Sequence, residues 1–167
     1  MKLELKRLHA DSIASAIKRA EHYRLLNEPL QAESICLDVL DSQPRHQGAL
    51  ILLLLARTDQ FGESGGARVE DARQLLPALE SEYDRSYYAG IICERWARAA
   101  LRGNSPGAGP TAYNWLLQAM SWYEKAEALR PEGNDDPVIR WNSCVRQIQK
   151  ADHVRPAPDE GFHPLLE

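Results

Sequence analysis

The chain has 167 residues, of which 44% are hydrophobic and 26% are charged, a composition typical of a soluble domain with its own core. Its net charge of −4 makes nucleic acid and an anionic membrane surface unfavourable partners. The N-terminal residues contain no continuous apolar segment, and the longest apolar run, ALILLLLA at residues 49–56, is far shorter than the roughly 20 residues that cross a bilayer. We therefore expect a cytoplasmic protein that does not associate with membranes.

Helical periodicity recurs along most of the chain, whereas sustained strand alternation and Asn-Gly or Asp-Gly hairpin turns are absent. Pro29 and Pro137 suit the first turn of a helix, while Pro44 and Pro131 disfavour helix in the residues before them. The Gly- and Pro-rich segment 103–110 predicts a flexible connector. The pattern predicts an all-α fold with seven helices, over residues 11–26, 29–42, 46–60, 67–82, 85–102, 111–129 and 137–151.

Three of the predicted helices share one spacing of packing residues. In each, an alanine is followed by packing residues four and seven positions later, which places all three on one helix face. Twelve positions after each alanine come Pro44, Asp84 and Pro131 respectively. This recurrence predicts an internal repeat. The three sets are Ala32, Cys36 and Val39; Ala72, Leu76 and Leu79; and Ala119, Tyr123 and Ala126.

The first repeat, residues 13–46, resembles the tetratricopeptide repeat (TPR) family. It carries Ala20, Tyr23, Ala32 and Pro44 at positions of the family's pattern of about 34 residues. It departs from that pattern at Ala16, Arg19 and Cys36. The later repeats carry longer insertions, before Ala72 and before Ala119.

The resemblance covers about residues 12–150. It implies a right-handed α-α superhelix: a short TPR-like solenoid of about three helical hairpins plus a C-terminal capping helix. The domain organisation that follows is a TPR-like helical repeat domain at residues 1–150 and a Pro-rich C-terminal tail at residues 151–167. Small residues at the helix crossings, such as Ala20 and Ala32, would let antiparallel helices pack with axes about 8–10 Å apart.

The resemblance also implies a concave face lined by the first helix of each hairpin, which in this family receives an extended peptide or a partner helix. The side chains expected on that face mix apolar residues with charges of both signs. Apolar pockets would anchor a partner segment and arginine would orient it. The expected partner-binding residues are Ile17, Glu21, Arg24, Ile51, Leu55, Thr58, Tyr87, Glu94, Arg98, Asn142, Arg146 and Gln149.

The leading hypothesis is a non-enzymatic adaptor or scaffold that binds another protein or a peptide in its concave groove. One alternative is a self-assembling structural module, which forms a homo-oligomer. Another is a cytoplasmic chaperone for one specific protein. We expect no catalytic residues, cofactor or metal, because no two histidines lie three or four residues apart and no acid, base and nucleophile form a recognisable set.

Overall fold

The computed structural model describes residues 3–158 and contains only helices in that range, which confirms the all-α prediction. None of the described helices is both long and apolar enough to cross a membrane. Two short 3-10 helices, at Ala10–Ser12 and Leu76–Ala78, accompany seven α-helices. The α-helices are α1 (Ile13–Leu25), α2 (Pro29–Ser42), α3 (Gln47–Asp59), α4 (Val69–Arg73), α5 (Glu82–Gly103), α6 (Ala108–Leu129) and α7 (Asp136–Lys150).

Local chemistry explains several helix starts. Pro29 begins α2 and Pro137 is the second residue of α7, where the missing N–H has no helical partner to lose. The His46 ring nitrogen Nδ1 accepts the backbone N–H of Ala49 at 3.1 Å and caps α3. Ser81 Oγ accepts the N–H of Asp84 at 3.2 Å and caps α5.

The fourth predicted helix, 67–82, is wrong as a single element. The α-helix there covers only Val69–Arg73, and the chain then forms the 3-10 turn Leu76–Ala78. Pro77 lacks a backbone N–H and disfavours the α conformation in Leu76, so the helix cannot run through. Ala72 and Leu79 are both buried, but they no longer lie on one helix face.

Half of the predicted connector 103–110 is helical, because α5 includes Gly103 and α6 begins at Ala108. Helices α5 and α6 have 22 residues each against 13 in α1, which makes each about 13 Å longer. Only residues 104–107 lie between them. Asn104 and Gly107 adopt φ values of 48° and 78°, and this left-handed backbone lets the chain reverse within so few residues.

Consecutive helices pack against each other along the chain, and α1 with α3 and α3 with α5 are also in contact. Four groups of buried apolar residues form the core, the largest lying between α5, α6 and α7. Val154, in the first residues of the predicted tail, is fully buried in that group. The His153 carbonyl lies so close to Gly109 that a side chain at position 109 would have no room. The apolar tail residues Phe162, Leu165 and Leu166 lie outside the described residues.

Candidate functional site

An arginine-lined pocket of about 290 Å³ lies where α1, α3 and α5 meet. Helix α5 supplies three of its arginines at positions i, i+3 and i+7, which share one helix face. Helix α1 supplies the fourth near its C-terminal end, and the end of α3 supplies an aspartate and a threonine. We call this the arginine pocket; its lining residues are Arg24, Asn27, Thr58, Asp59, Arg95, Arg98 and Arg102.

Asp59 holds two of these arginines in place. Arg24 donates to both Asp59 oxygens, from Nε at 2.7 Å and from Nη2 at 3.2 Å. Arg95 Nη1 donates to Asp59, to Thr58 Oγ1 at 2.7 Å and to the Leu55 carbonyl at 3.3 Å. A paired guanidinium fork has a defined orientation, so these contacts fix the wall of the pocket before any ligand arrives.

A second carboxylate, Glu94, supports the pocket from below and is fully buried. It accepts the Tyr123 hydroxyl at 2.6 Å and the guanidinium of Arg98 on the next turn of α5. Arg140 of α7 lies 3.5 Å from the same carboxylate. One hydroxyl and two guanidinium groups surround the Glu94 carboxylate, and their hydrogen bonds and positive charge offset the cost of burying its negative charge.

The pocket carries a clear excess of positive charge. Its lining holds four guanidinium groups and one carboxylate, an excess of three in a protein whose net charge is −4. Burial lowers the pKa of Arg95; Asp59 opposes this, and the like charges of Arg24, Arg140 and Arg98 lower the pKa further. Arginine stays protonated even so, and this crowding of cations favours an anion in the pocket.

Burial also sets the proton positions beneath the pocket. It raises the pKa of the Tyr123 phenol, and the adjacent negative charge of Glu94 raises that pKa further. Burial alone would lower the pKa of Arg140, but Glu94 reverses the direction and the net effect is a raised pKa. Tyr123 therefore remains a hydrogen-bond donor and Arg140 a cation at neutral pH.

A second, larger cavity of about 560 Å³ adjoins the arginine pocket and shares Asn27 with it. It lies between the α1–α2 turn and the loop after α3, and its charged residues are acidic, Glu28 and Glu63. Leu30 and Pro29 supply apolar surface. Two adjoining cavities of opposite charge suit a ligand longer than a single small ion.

The structure brings three of the expected partner-binding residues, Arg24, Thr58 and Arg98, into the arginine pocket. Leu55 contributes its backbone carbonyl to Arg95 at the wall. Glu94 lies beneath the pocket, where no ligand reaches it, because Tyr123 and two arginines cover its carboxylate. The expectation that Glu94 faces a partner directly is therefore wrong, and its contacts make it a support for Arg98.

The other expected residues lie away from the pocket. Tyr87 packs against Tyr123, with ring centroids 5.9 Å apart. Ile17 is half-buried against the core between α1 and α2. Ile51 and Asn142 are half-buried, and the exposed residues are Glu21, Arg146 and Gln149.

Sequence reasoning missed Asp59, Arg95, Arg102, Asn27 and Arg140. The arginine spacing in ERWARAALR, residues 94–102, is a visible signal for one basic helix face. No comparable signal exists for Asp59, since it reaches Arg24 and Arg95 across 35 and 36 residues of sequence.

The described part of the chain contains no group of three or more His, Cys, Asp or Glu side chains placed to hold a metal ion. All three cysteines are buried and free, and burial raises the pKa of Cys36 and Cys144 to about 12, which suppresses thiolate chemistry. Comparisons with protein-family models, with curated proteins and with solved structures gave no match. The arginine pocket is the feature of the described residues that most directly indicates a ligand.

Proposed function

We propose that this protein is a non-enzymatic interaction module that binds a segment of a partner protein, with an acidic group of that segment seated in the arginine pocket. The observation that carries the proposal is the meeting of four arginines from two helices in one pocket of an otherwise acidic chain. Arginine is enriched at protein–protein interfaces because its planar fork pairs carboxylates and related anions in two places.

In this proposal the helices form a short TPR-like superhelix. Contacts within the pairs α1–α2, α3–α4 and α5–α6 support it, as do the contacts of α1 with α3 and of α3 with α5. Helix α7 packs against α6 and serves as the cap. The arginine pocket is built from the first helices of the pairs, which are the helices that line the concave face in such an arrangement.

The adjoining cavity argues for a partner segment over a free ion. A segment seated by an acidic group in the arginine pocket would pass Asn27 and place its next residues against Leu30, Glu28 and Glu63. Such a segment therefore carries its acidic group beside a basic or polar residue. Charge complementarity of this kind sets register and suppresses wrong partners.

The test compares capture by matched variants. Arg24→Gln with Arg98→Gln removes two pocket charges, whereas Arg7→Gln with Arg19→Gln removes two exposed charges elsewhere. Each tagged full-length protein is incubated with lysate of its source cells, and bound proteins are identified by mass spectrometry. We expect a partner that the parent and the Arg7/Arg19 variant retain and the Arg24/Arg98 variant loses, with helicity by circular dichroism unchanged in all three.

Equal capture by the three proteins would place the binding surface elsewhere and overturn the proposal. Because Arg24 and Arg98 also hold Asp59 and Glu94, a single Arg102→Gln variant guards against a folding defect. Within residues 3–158 the Arg102 side chain donates only to the Phe61 carbonyl, at 2.9 Å, so its loss changes the pocket charge with little effect on packing.

Self-assembly is a second candidate, favoured by exposed leucines on the first hairpin. Leu30 and Leu37 lie seven residues apart on α2 and are 71% and 47% exposed, and Leu26 beside them is 54% exposed. Exposed apolar surface at the end of a stack of helices favours contact with another copy. Light scattering of the parent and of a Leu30→Lys, Leu37→Lys variant separates the candidates: a dimer that the variant loses supports self-assembly.

A further inference from the structure

The arginine pocket holds more positive charge than one carboxylate balances. Its excess of three charges remains after Asp59 is counted, and the Glu94–Arg140 pair beneath adds no net charge. A carboxylate group supplies one negative charge and two acceptor oxygens. A phosphate monoester supplies about −1.5 to −2 at pH 7 and three terminal oxygens, so it complements this pocket better.

Donor groups for such a ligand are present and unused. Arg24 donates to Asp59 from Nε and Nη2, which leaves Nη1 for a ligand. Within the described residues Arg95 donates from Nη1 alone, which leaves Nε and Nη2. Arg98 donates to Glu94, and Arg102 donates to the Phe61 carbonyl, in each case from Nη2 alone. The remaining nitrogens of the four guanidinium groups have no acceptor within residues 3–158, and each guanidinium carries five N–H donors.

The size and rigidity of the pocket narrow the ligand further. Its volume of about 290 Å³ lies at the lower end of the usual range for small-molecule pockets, roughly 300–1,000 Å³, and suits a charged head group. Asp59 and Glu94 hold three of the four arginines in place, so little ordering entropy is lost when an anion binds. These features suit the recognition of a phosphorylated side chain by preorganised arginines.

We propose that the arginine pocket binds a phosphate monoester carried by a side chain of the partner segment. This inference rests on the proposed function, since it names the group by which the partner is anchored. The guanidinium groups of Arg98 and Arg102 bind the phosphate, and Arg24 and Arg95 complete the cradle. Asp59 is the internal anion with which the phosphate competes for Arg24 and Arg95.

The test is isothermal titration calorimetry of the full-length protein with three tripeptides that are blocked at both termini and differ only in the central residue. The peptides are Gly-phosphoserine-Gly, Gly-Glu-Gly and Gly-Ser-Gly. Orthophosphate and adenosine monophosphate are the arms that identify a free-phosphate or nucleotide source. We expect the phosphoserine peptide to bind at least tenfold tighter than the Glu peptide, and tighter than either free phosphate source. Its affinity should rise with pH through about 6, where the phosphate gains its second charge.

Substitutions in the pocket should change the affinity for the phosphopeptide in both directions. Arg102→Gln should weaken phosphopeptide binding about tenfold, and Arg19→Gln, exposed and outside the pocket, should leave it unchanged. Asp59→Asn removes the competing negative charge but keeps one side-chain oxygen that can accept from Arg24 and Arg95, so it should tighten phosphopeptide binding several-fold. Weaker binding by this variant would contradict competition between Asp59 and the phosphate.

Equal binding of the phosphoserine and Glu peptides overturns the phosphate proposal. So does orthophosphate or adenosine monophosphate binding as tightly as the phosphopeptide, because the source is then a free anion. If the Arg24/Arg98 variant loses its protein partner and no phosphate probe binds, this inference fails and the proposed function stands. If no probe binds and all variants capture the same proteins, both fail.

Discussion

The first and third helical hairpins, α1–α2 and α5–α6, place different residues at the same position of their second helices. Four residues after Ala32 of α2 comes Cys36, and four residues after Ala119 of α6 comes Tyr123; all four side chains are fully buried. Cys36 packs in an apolar group with Ala20, Leu52 and Leu53, and no buried polar residue lies in the described α1 or α2. The first hairpin is therefore held by close apolar packing.

Tyr123 brings a hydroxyl into the same position, and a buried hydroxyl needs a hydrogen-bond partner. That partner is Glu94, whose charge in turn requires cations, supplied by Arg98 and Arg140. Arg98 also lines the arginine pocket. One polar group in a helix interface is thus connected, through the partners that it requires, to the arginine pocket.

Glu94→Ala should break this network and have the largest effect. Loss of the carboxylate leaves the buried Tyr123 hydroxyl without its acceptor and separates Arg98 from its partner, at a cost of about 3 kcal/mol in the free energy of unfolding. Urea denaturation followed by circular dichroism measures it, with the exposed Glu21→Ala as the matched control. Equal midpoints for the two variants would show that Glu94 does not support the third hairpin.

Ala32→Leu should destabilise the first hairpin by steric overpacking. Ala32 is fully buried between α1 and α2, and the extra side-chain carbons force neighbouring atoms apart at a cost of about 2 kcal/mol. Thermal melting checks the prediction against Ala14→Leu, an exposed position on α1. If both variants melt with the parent, close packing does not hold this hairpin.

Gly90→Ala tests the corresponding close approach in the third hairpin. A Cβ at position 90 would lie 2.5 Å from Cε1 of the buried Tyr123 ring, so the ring must shift and its bond to Glu94 must lengthen. Alanine gains about 1 kcal/mol of helix propensity over glycine, so the net loss is smaller than overpacking alone gives, about 1 kcal/mol. Gly103→Ala in the same helix, where a Cβ meets nothing within 4 Å, should melt no lower than the parent.

Alkaline pH should lower the free energy of unfolding through buried groups in both hairpins, whereas the change near neutral pH should be small. Burial raises the pKa of Cys36 from 9.0 and of Tyr88 from 10.0, each to about 12. The unfolded chain therefore releases these protons at a lower pH than the folded chain, and the free energy of unfolding falls as pH rises from about 9 to 12. Urea midpoints across this range measure the fall, and Cys36→Ala should make it shallower; an unchanged slope would contradict the buried environment of Cys36.

Helix positions were predictable because they depend on neighbours in sequence. Pro29 and Pro137 correctly marked the starts of α2 and α7. The same reasoning failed where a local signal was overlooked, at Pro77, which divides the predicted helix 67–82. It also failed where packing outweighs composition, since residues 108–110, Ala-Gly-Pro, form the first turn of α6 and not a loop.

The candidate site was predictable in part. Arg24 and Arg98 were expected on a partner-binding face, and both line the arginine pocket. Their pairing with Asp59 and Glu94 was not expected, because no sequence pattern indicates which arginine either carboxylate contacts. Asp59 looks like any exposed residue at a helix end, and Glu94 looks like one more charge on a polar face.

Most of the helices, the small residues at their contacts and the basic face of α5 can be read from the sequence, because each follows from a spacing of three or four residues along one helix. The packing of distant helices brings Arg24, Asp59 and Arg95 together and buries Glu94 with Tyr123. Those contacts join helices separated by about 30 residues or more, and the periodicity of a single helix carries no information on which distant helix will pack against it.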